Sequence, residues 1–105
     1  MDNKLANFLG ITKKSGNLIH GNDDVINNFF KNNVKLILAA KDTSENTLKK
    51  LKKQINDESK IKIINLSKED IEQATGKFSA ILGVLDGGLA SEILKLLSDK
   101  TREEI

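Results

Sequence analysis

The 105 residues predict an α/β fold, a three-layer α/β/α sandwich built on a four-stranded mixed sheet. Three observations point there. Apolar residues recur at helical spacing in several separate stretches. Between those stretches lie short apolar runs of strand length, and one of them, Val34 to Ala40, is almost unbroken, as a strand covered on both faces requires. The two kinds alternate along the chain with short connections, which is the pattern of a layered α/β domain.

The first helix spans residues 3 to 13, where Leu5, Phe8, Leu9 and Thr12 form an i, i+3, i+4, i+7 stripe and Gly16 supplies the stop. Asn17 to His20 leaves room only for a brief strand, which can run antiparallel to its neighbour. From Asn22 a second helix buries Val25, Ile26, Phe29 and Phe30 and ends at Asn32-Asn33. After the central strand, Thr43-Ser44-Glu45-Asn46 is a hydroxyl-rich helix start, with Leu48, Leu51 and Ile55 facing inward. Lys49, Lys50, Lys52 and Lys53 read as the solvated side of that helix. Ile61, Ile63, Ile64 and Leu66 give the third strand. Ser67, with Asp70 three residues on, resembles a capping box for a short helix through Ile71 and Ala74 that Gly76 stops. Ala80 to Leu85 is the last strand, and Asp86-Gly87-Gly88 turns into a final helix buried through Leu89, Ile93, Leu96 and Leu97. A polar, fraying tail is expected from Ser98.

Composition narrows the function. The length suits a single domain, residues 1–105, with one core. No apolar run of about 20 residues spans a membrane. The opening Met-Asp-Asn-Lys-Leu lacks the order of a signal peptide, so a cytoplasmic location is expected. Without cysteine there are no disulfides and no thiolate chemistry. A net charge of +2 does not by itself demonstrate nucleic-acid binding, so the distribution of charge must carry that case. Four Phe and no Trp or Tyr make stacking of bases on aromatic platforms a poor candidate mode.

Catalysis finds little support. His20 is the single histidine; Ser15 or Ser79 could be drawn beside it, but no Gly-x-Ser-x-Gly elbow exists. A lone histidine at a strand end reads as a polar edge residue before it reads as a general base. No histidine cluster suits zinc, and the carboxylates are scattered. Gly83 and Gly87-Gly88 lack the dinucleotide spacing, and Gly76-Lys77 only begins a phosphate loop. No enzymatic activity, metal or cofactor is therefore expected.

Binding is the better class. Gly21 opens the second helix through Asn22, Asp23 and Asp24, and a helix start aims free N–H groups outward with the positive end of the dipole behind them. Lys13, Lys14, Lys41 and Lys77 fall at junctions between elements. Taken singly each is a solvated charge; if the junctions meet at one end, they converge on one face that suits phosphates.

The segments Lys13-Lys14-Ser15-Gly16-Asn17-Leu18-Ile19-His20-Gly21, Lys35-Leu36-Ile37-Leu38-Ala39-Ala40, Asp42-Thr43-Ser44-Glu45-Asn46-Thr47 and Ala74-Thr75-Gly76-Lys77 come in an order and spacing that resembles the ribosomal protein L-seven-Ae family. Within it the resemblance is to the bacterial YlxQ-like group, small proteins of translation-gene operons, and it covers about Leu5 to Leu97. It implies an RNA-binding α/β/α sandwich, many of whose relatives grip kink-turn or related bent RNA. In those relatives the helix after the first strand carries Gly-x-Asn-Glu-x-x-Lys. Laid on this chain Gly21 holds, while Asp23, Asp24 and Asn27 stand at the Asn, Glu and Lys positions, a departure the YlxQ-like group shares. A carboxylate at Asp23 can accept from a guanine edge but cannot donate as an amide does.

The resemblance thus implies a non-catalytic protein that binds structured RNA, ribosomal or kink-turn-like, in translation or ribosome assembly. Gly21 and Asn22 would offer donors, Asp24 and Asp23 would face bases beside Asn27, and Lys13, Lys14, Lys41 and Lys77 would meet phosphates. Lys77 and Phe78 would serve in the loop after the fourth helix, which in the family adds apolar contact. The expected partners are structured RNA, ribosomal RNA included, and ribosomal proteins; no membrane is involved and a monomer is expected. The competing expectation is a protein-interaction module that kept the fold and lost RNA affinity, which the acidic Asp23-Asp24 pair favours.

Overall fold

A computed structural model describes residues 3–103, with side chains between 4 and 98. The elements run α1 (Asn3–Lys14), β1 (Leu18–His20), α2 (Asn22–Phe30), β2 (Leu36–Ala39), α3 (Glu45–Gln54), β3 (Ile61–Ile63), α4 (Lys68–Thr75), β4 (Ile81–Val84) and α5 (Gly87–Glu103). This is the alternation that the sequence predicts. The opening Met1-Asp2 and the last two residues of the expected polar tail lie outside the described residues.

The strands form one sheet in the order β1-β4-β2-β3. Its mixed character comes from a parallel β2–β3 pair, with Ile37 opposite Ile61, and two antiparallel pairs flanking β4. Period-two alternation divides the core. Leu36 and Leu38 of β2, with Leu82 and Val84 of β4, face α1, α4 and α5 through Leu5, Leu9, Ile71 and Ile93. Ile37, Ala39 and Ile81 face α2 and α3 through Val25, Ile26, Leu51 and Ile55. Both faces of β2 are buried along its whole length, which is why its sequence is continuously apolar.

Close packing limits side-chain size at one crossing. A Cβ on Gly10 of α1 would stand 2.9 Å from the Ala74 carbonyl oxygen of α4, so only glycine lets the helices approach this closely. Thr12, buried at the end of the α1 stripe, satisfies its hydroxyl by donating to the Phe8 carbonyl at 2.8 Å.

The structure departs from the sequence expectations at five places. Ile64 and Leu66 are buried but lie beyond β3; the chain there still holds the sheet, Ile64 N–H donating to Ala39 and Lys41 N–H to Leu66. Ile63 is exposed at the end of β3, an edge strand. Phe30, expected in the buried stripe, is 63% exposed: it is the last residue of α2 and meets Phe29 edge-to-face instead. The polar tail expected to fray from Ser98 is helical as far as Glu103, and its residues include neither Gly nor Pro. A 3-10 turn at Glu58–Lys60, started by the Asp57 side chain accepting from Ser59 N–H, had no periodicity to announce it.

Candidate nucleic-acid interface

The register decides which loops share an edge. His20 at the end of β1 sits opposite Leu82 near the start of β4, and Ala39 at the end of β2 sits opposite Ile81. Ala39 also pairs with Ile63, the end of β3. The loops leaving β1, β2 and β3 and the loop entering β4 therefore emerge side by side. Backbone bonds close the rim: Gly21 N–H to Ile81 (2.9 Å), Ala40 N–H to Ala80 (2.8 Å) and Lys41 N–H to Leu66 (2.9 Å).

At this rim α2 begins without a side-chain cap. Ser44 caps α3, the Ser67–Asp70 box caps α4, and the Asp86 carboxylate accepts from Leu89 N–H at the start of α5. Gly21 can do none of this, having no side chain, and its φ of 99° is a conformation that other residues adopt only with strain. Because Gly21 N–H is spent on Ile81, Gly21 is not the donor that the sequence suggests. The first intrahelical bond is Val25 N–H to Gly21, which leaves the N–H groups of Asn22, Asp23 and Asp24 to point out of the helix. Asp23, Asp24 and Asn27 are exposed beside them.

His20 ties two loops together. Its Nδ1 shares a hydrogen bond of 2.8 Å with Ser79 Oγ, joining the residue before Gly21 to the residue after Phe78. The ring is 6% exposed, and burial, then Lys13, then Lys77 push its pKa down to about 4. At neutral pH the imidazole is uncharged. Both lysines thus lie close enough for their charges to act on one ring beside the α2 start.

The pairing of His20 with Ser79 that the sequence allows is present in the structure, but its chemistry is that of a clamp. A base of such low pKa is poorly matched to abstracting a proton at neutral pH. Its Nε2 is buried with no partner among the described residues, so no carboxylate orients the ring as a triad requires. His20 is the polar residue on an edge strand that its position suggests, and it is buried there. The described residues contain no group of three or more His, Cys, Asp or Glu able to hold a metal ion.

The other cations are spread more widely. Lys41 is exposed at the end of β2 and, after the hydrogen bonds from Ser67, helps to hold the Asp70 carboxyl below its ordinary range. Lys14 lines a groove between α1 and α4 with Asp70, Gln73 and Ala74. Phe78 is 57% exposed on the loop that His20 anchors, and the Lys68 ammonium stands 5.9 Å over its ring, a cation–π arrangement. Sequence reasoning missed Lys68 and the anchoring role of Ser79. Lys68 is ten residues from Phe78, and only the return of the chain from α4 to β4 brings them together. Its backbone N–H also donates to Asp42 Oδ1 at 2.9 Å, tying α4 to the loop after β2.

Among the described residues no helix is long and apolar enough to cross a membrane. The fold is similar to that of a protein with unknown function from Bacillus halodurans, at a TM-score of 0.83 and 22% identity over 92% of this chain and 99% of that one. It is also similar to the Giardia lamblia 15.5kD RNA binding protein, at a TM-score of 0.66 and 14% identity over 90% and 85% of the two chains. In sequence it is 30% identical over 94 residues to the RNA-binding protein YlxQ of Enterococcus faecium, covering 90% of this chain and 91% of that protein. The model of the Ribosomal protein L7Ae/L30e/S12e/Gadd45 family matches residues 3–94, and the chain belongs to that family.

Proposed function

We propose that the chain binds structured RNA at the rim formed by the starts of α2 and α4 and the loop entering β4, and that it prefers a bent, kink-turn-like RNA. The observation that carries this is the uncapped start of α2, its first N–H groups free, tied by the His20–Ser79 bond to the loop that bears Lys77 and Phe78. Family membership and the RNA-binding name of the Enterococcus relative support it. The binding is non-catalytic, and its setting is ribosome assembly or translation in the cytoplasm.

Each side chain then has a physical task. The free N–H groups of Asn22, Asp23 and Asp24 and the ammonium groups of Lys13 and Lys77 meet phosphate oxygens. Asp24, with Asp23 and Asn27 beside it, faces bases; a carboxylate accepts from the amino and imino groups of guanine and repels a misplaced phosphate. Phe78, with Lys68 over its ring, adds apolar contact to the RNA. Lys41 and Lys14 extend the contact along α4. The His20–Ser79 bond keeps the two loops at a fixed separation without adding a positive charge of its own.

Crosslinking in cells followed by sequencing of the bound RNA tests this proposal. The expected result is enrichment of bent, internally looped segments of ribosomal or other structured RNA, lost in a Lys13→Gln, Lys77→Gln double variant. Recovery no greater than from uncrosslinked cells would refute it and favour a protein partner for the Asp23-Asp24 surface.

A further inference from the structure

The four lysines of α3 stand out by their clustering on one short helix. Lys49, Lys50, Lys52 and Lys53 are all exposed, and none has an ion-pair partner among the described residues. Of the chain's 17 basic and 15 acidic residues, this ten-residue helix holds four lysines and one glutamate. Its excess of three exceeds the +2 of the whole chain, so the rest of the molecule is slightly acidic. The rim just described has Asp23, Asp24 and Asp42 set among its lysines and so offers little net attraction to a polyanion at long range.

Helical geometry spreads the four over one surface. With Leu51 and Ile55 buried inward, Lys49 and Lys53 lie one turn apart on the outermost line, and Lys50 and Lys52 flank it. Lys49 and Lys53 are four residues apart, and Lys49–Lys52 and Lys50–Lys53 are three apart, so like charges repel within the helix. A polyanion laid along this face relieves that repulsion. The position fits as well: α3 starts at Ser44, directly after the loop Lys41–Thr43 on the rim, packs beside α2, and runs about 15 Å away from the rim.

We infer that the outer face of α3 is a second RNA contact, which holds the phosphate backbone of a double-stranded arm leaving the bend gripped at the rim. This rests on the RNA reading proposed above but concerns a surface outside the rim. It divides the work: the rim recognises shape and bases through its own few phosphate contacts, and α3 adds sequence-independent, salt-sensitive attraction along the arm. If each lysine engages one phosphate, the log–log salt slope from α3 is on the order of −3.6, taking about −0.9 per contact from duplex DNA. That corresponds to roughly a 100-fold loss of affinity between about 50 and 200 mM salt.

The test is a salt titration of the full chain on two probes, a blunt RNA duplex and a kink-turn RNA with one extended arm. Three variants are compared: all four α3 lysines changed to Gln, all four changed to Arg, and Lys13→Gln with Lys77→Gln. The Gln variant is expected to lose most of the salt slope on the duplex, about half of it on the kink-turn probe, and at least 10-fold in affinity at low salt. The Arg variant should keep both, and the rim variant should keep duplex binding with an unchanged slope. An unchanged slope in the Gln variant would overturn the inference, as would equal loss in the Arg variant, which keeps the charge. Vesicles of equimolar phosphatidylserine and phosphatidylcholine are titrated in parallel; α3-dependent binding to them without binding to either RNA would also overturn it. Failure of the rim reading looks different: no preference for the kink-turn probe, with the α3-dependent slope intact.

Discussion

Acidifying the solution from pH 7 to pH 5 should cost the fold about 2 kcal/mol through one side chain, His20. The ring is buried under the loops of the rim and titrates near 4, against an ordinary value of 6.5. The unfolded chain therefore takes up its proton first as pH falls. Stability is complete above the unfolded value, declines between 6.5 and 4, and stops declining from this source below that. The whole shift corresponds to about 3 kcal/mol, of which the interval from pH 7 to 5 draws the larger part. Asp57 and Asp70, both held below 3.8 mainly by hydrogen bonds from Ser59 and Ser67, lose their contributions only in more acidic solution, so the windows separate. Urea unfolding of the wild type and of His20→Gln at pH 7, 6 and 5 measures the effect. The wild type should lose about 2 kcal/mol while the Gln variant, which has nothing to titrate there, stays nearly level. Parallel declines in the two proteins, or a flat wild-type profile, would refute the assignment of a buried neutral imidazole.

Other expectations follow from the same contacts. Gly10→Val should destabilise by at least about 1–3 kcal/mol in thermal or urea unfolding, because its Cβ meets the backbone oxygen of Ala74 at 2.9 Å and backbone cannot swing aside. Ser67→Ala removes the side-chain half of the α4 capping box and should cost about 1 kcal/mol, measured by the same unfolding curves. Phe78→Ala should leave stability within about 0.5 kcal/mol, since the ring is 57% exposed, while weakening RNA binding in a filter or fluorescence titration. A large stability loss in that variant would mean the ring serves the fold and not the interface.

Most of the fold was legible because its signals are local. Leu5, Leu9 and Thr12, or Leu51 and Ile55, report a helix by spacing alone, and the Ser67–Asp70 box is written in four residues. What the sequence concealed depends on partners distant in the chain. Nothing near His20 says that Ser79 will meet it 59 residues later, and nothing near Phe78 points to Lys68 above its ring. Gly21 shows the limit from the other side: its place at the helix start was evident, but the loss of its N–H to Ile81 follows only from the antiparallel return of β4. Exposure at Phe30 and Ile63 likewise depends on where neighbouring elements end, which periodicity does not encode.

The division of labour between rim and α3 stands on one claim, that the rim recognises a bend in RNA. Its most direct measurement is the ratio of dissociation constants for a kink-turn RNA and an unrelated hairpin of equal length, followed across a salt series. Shape recognition at the rim predicts a ratio that favours the kink-turn and persists at high salt, because hydrogen bonds to Asp23, Asp24 and Asn27 and contact with Phe78 release no counterions. Equal affinities with the same steep salt dependence on both RNAs would contradict it and leave only backbone attraction.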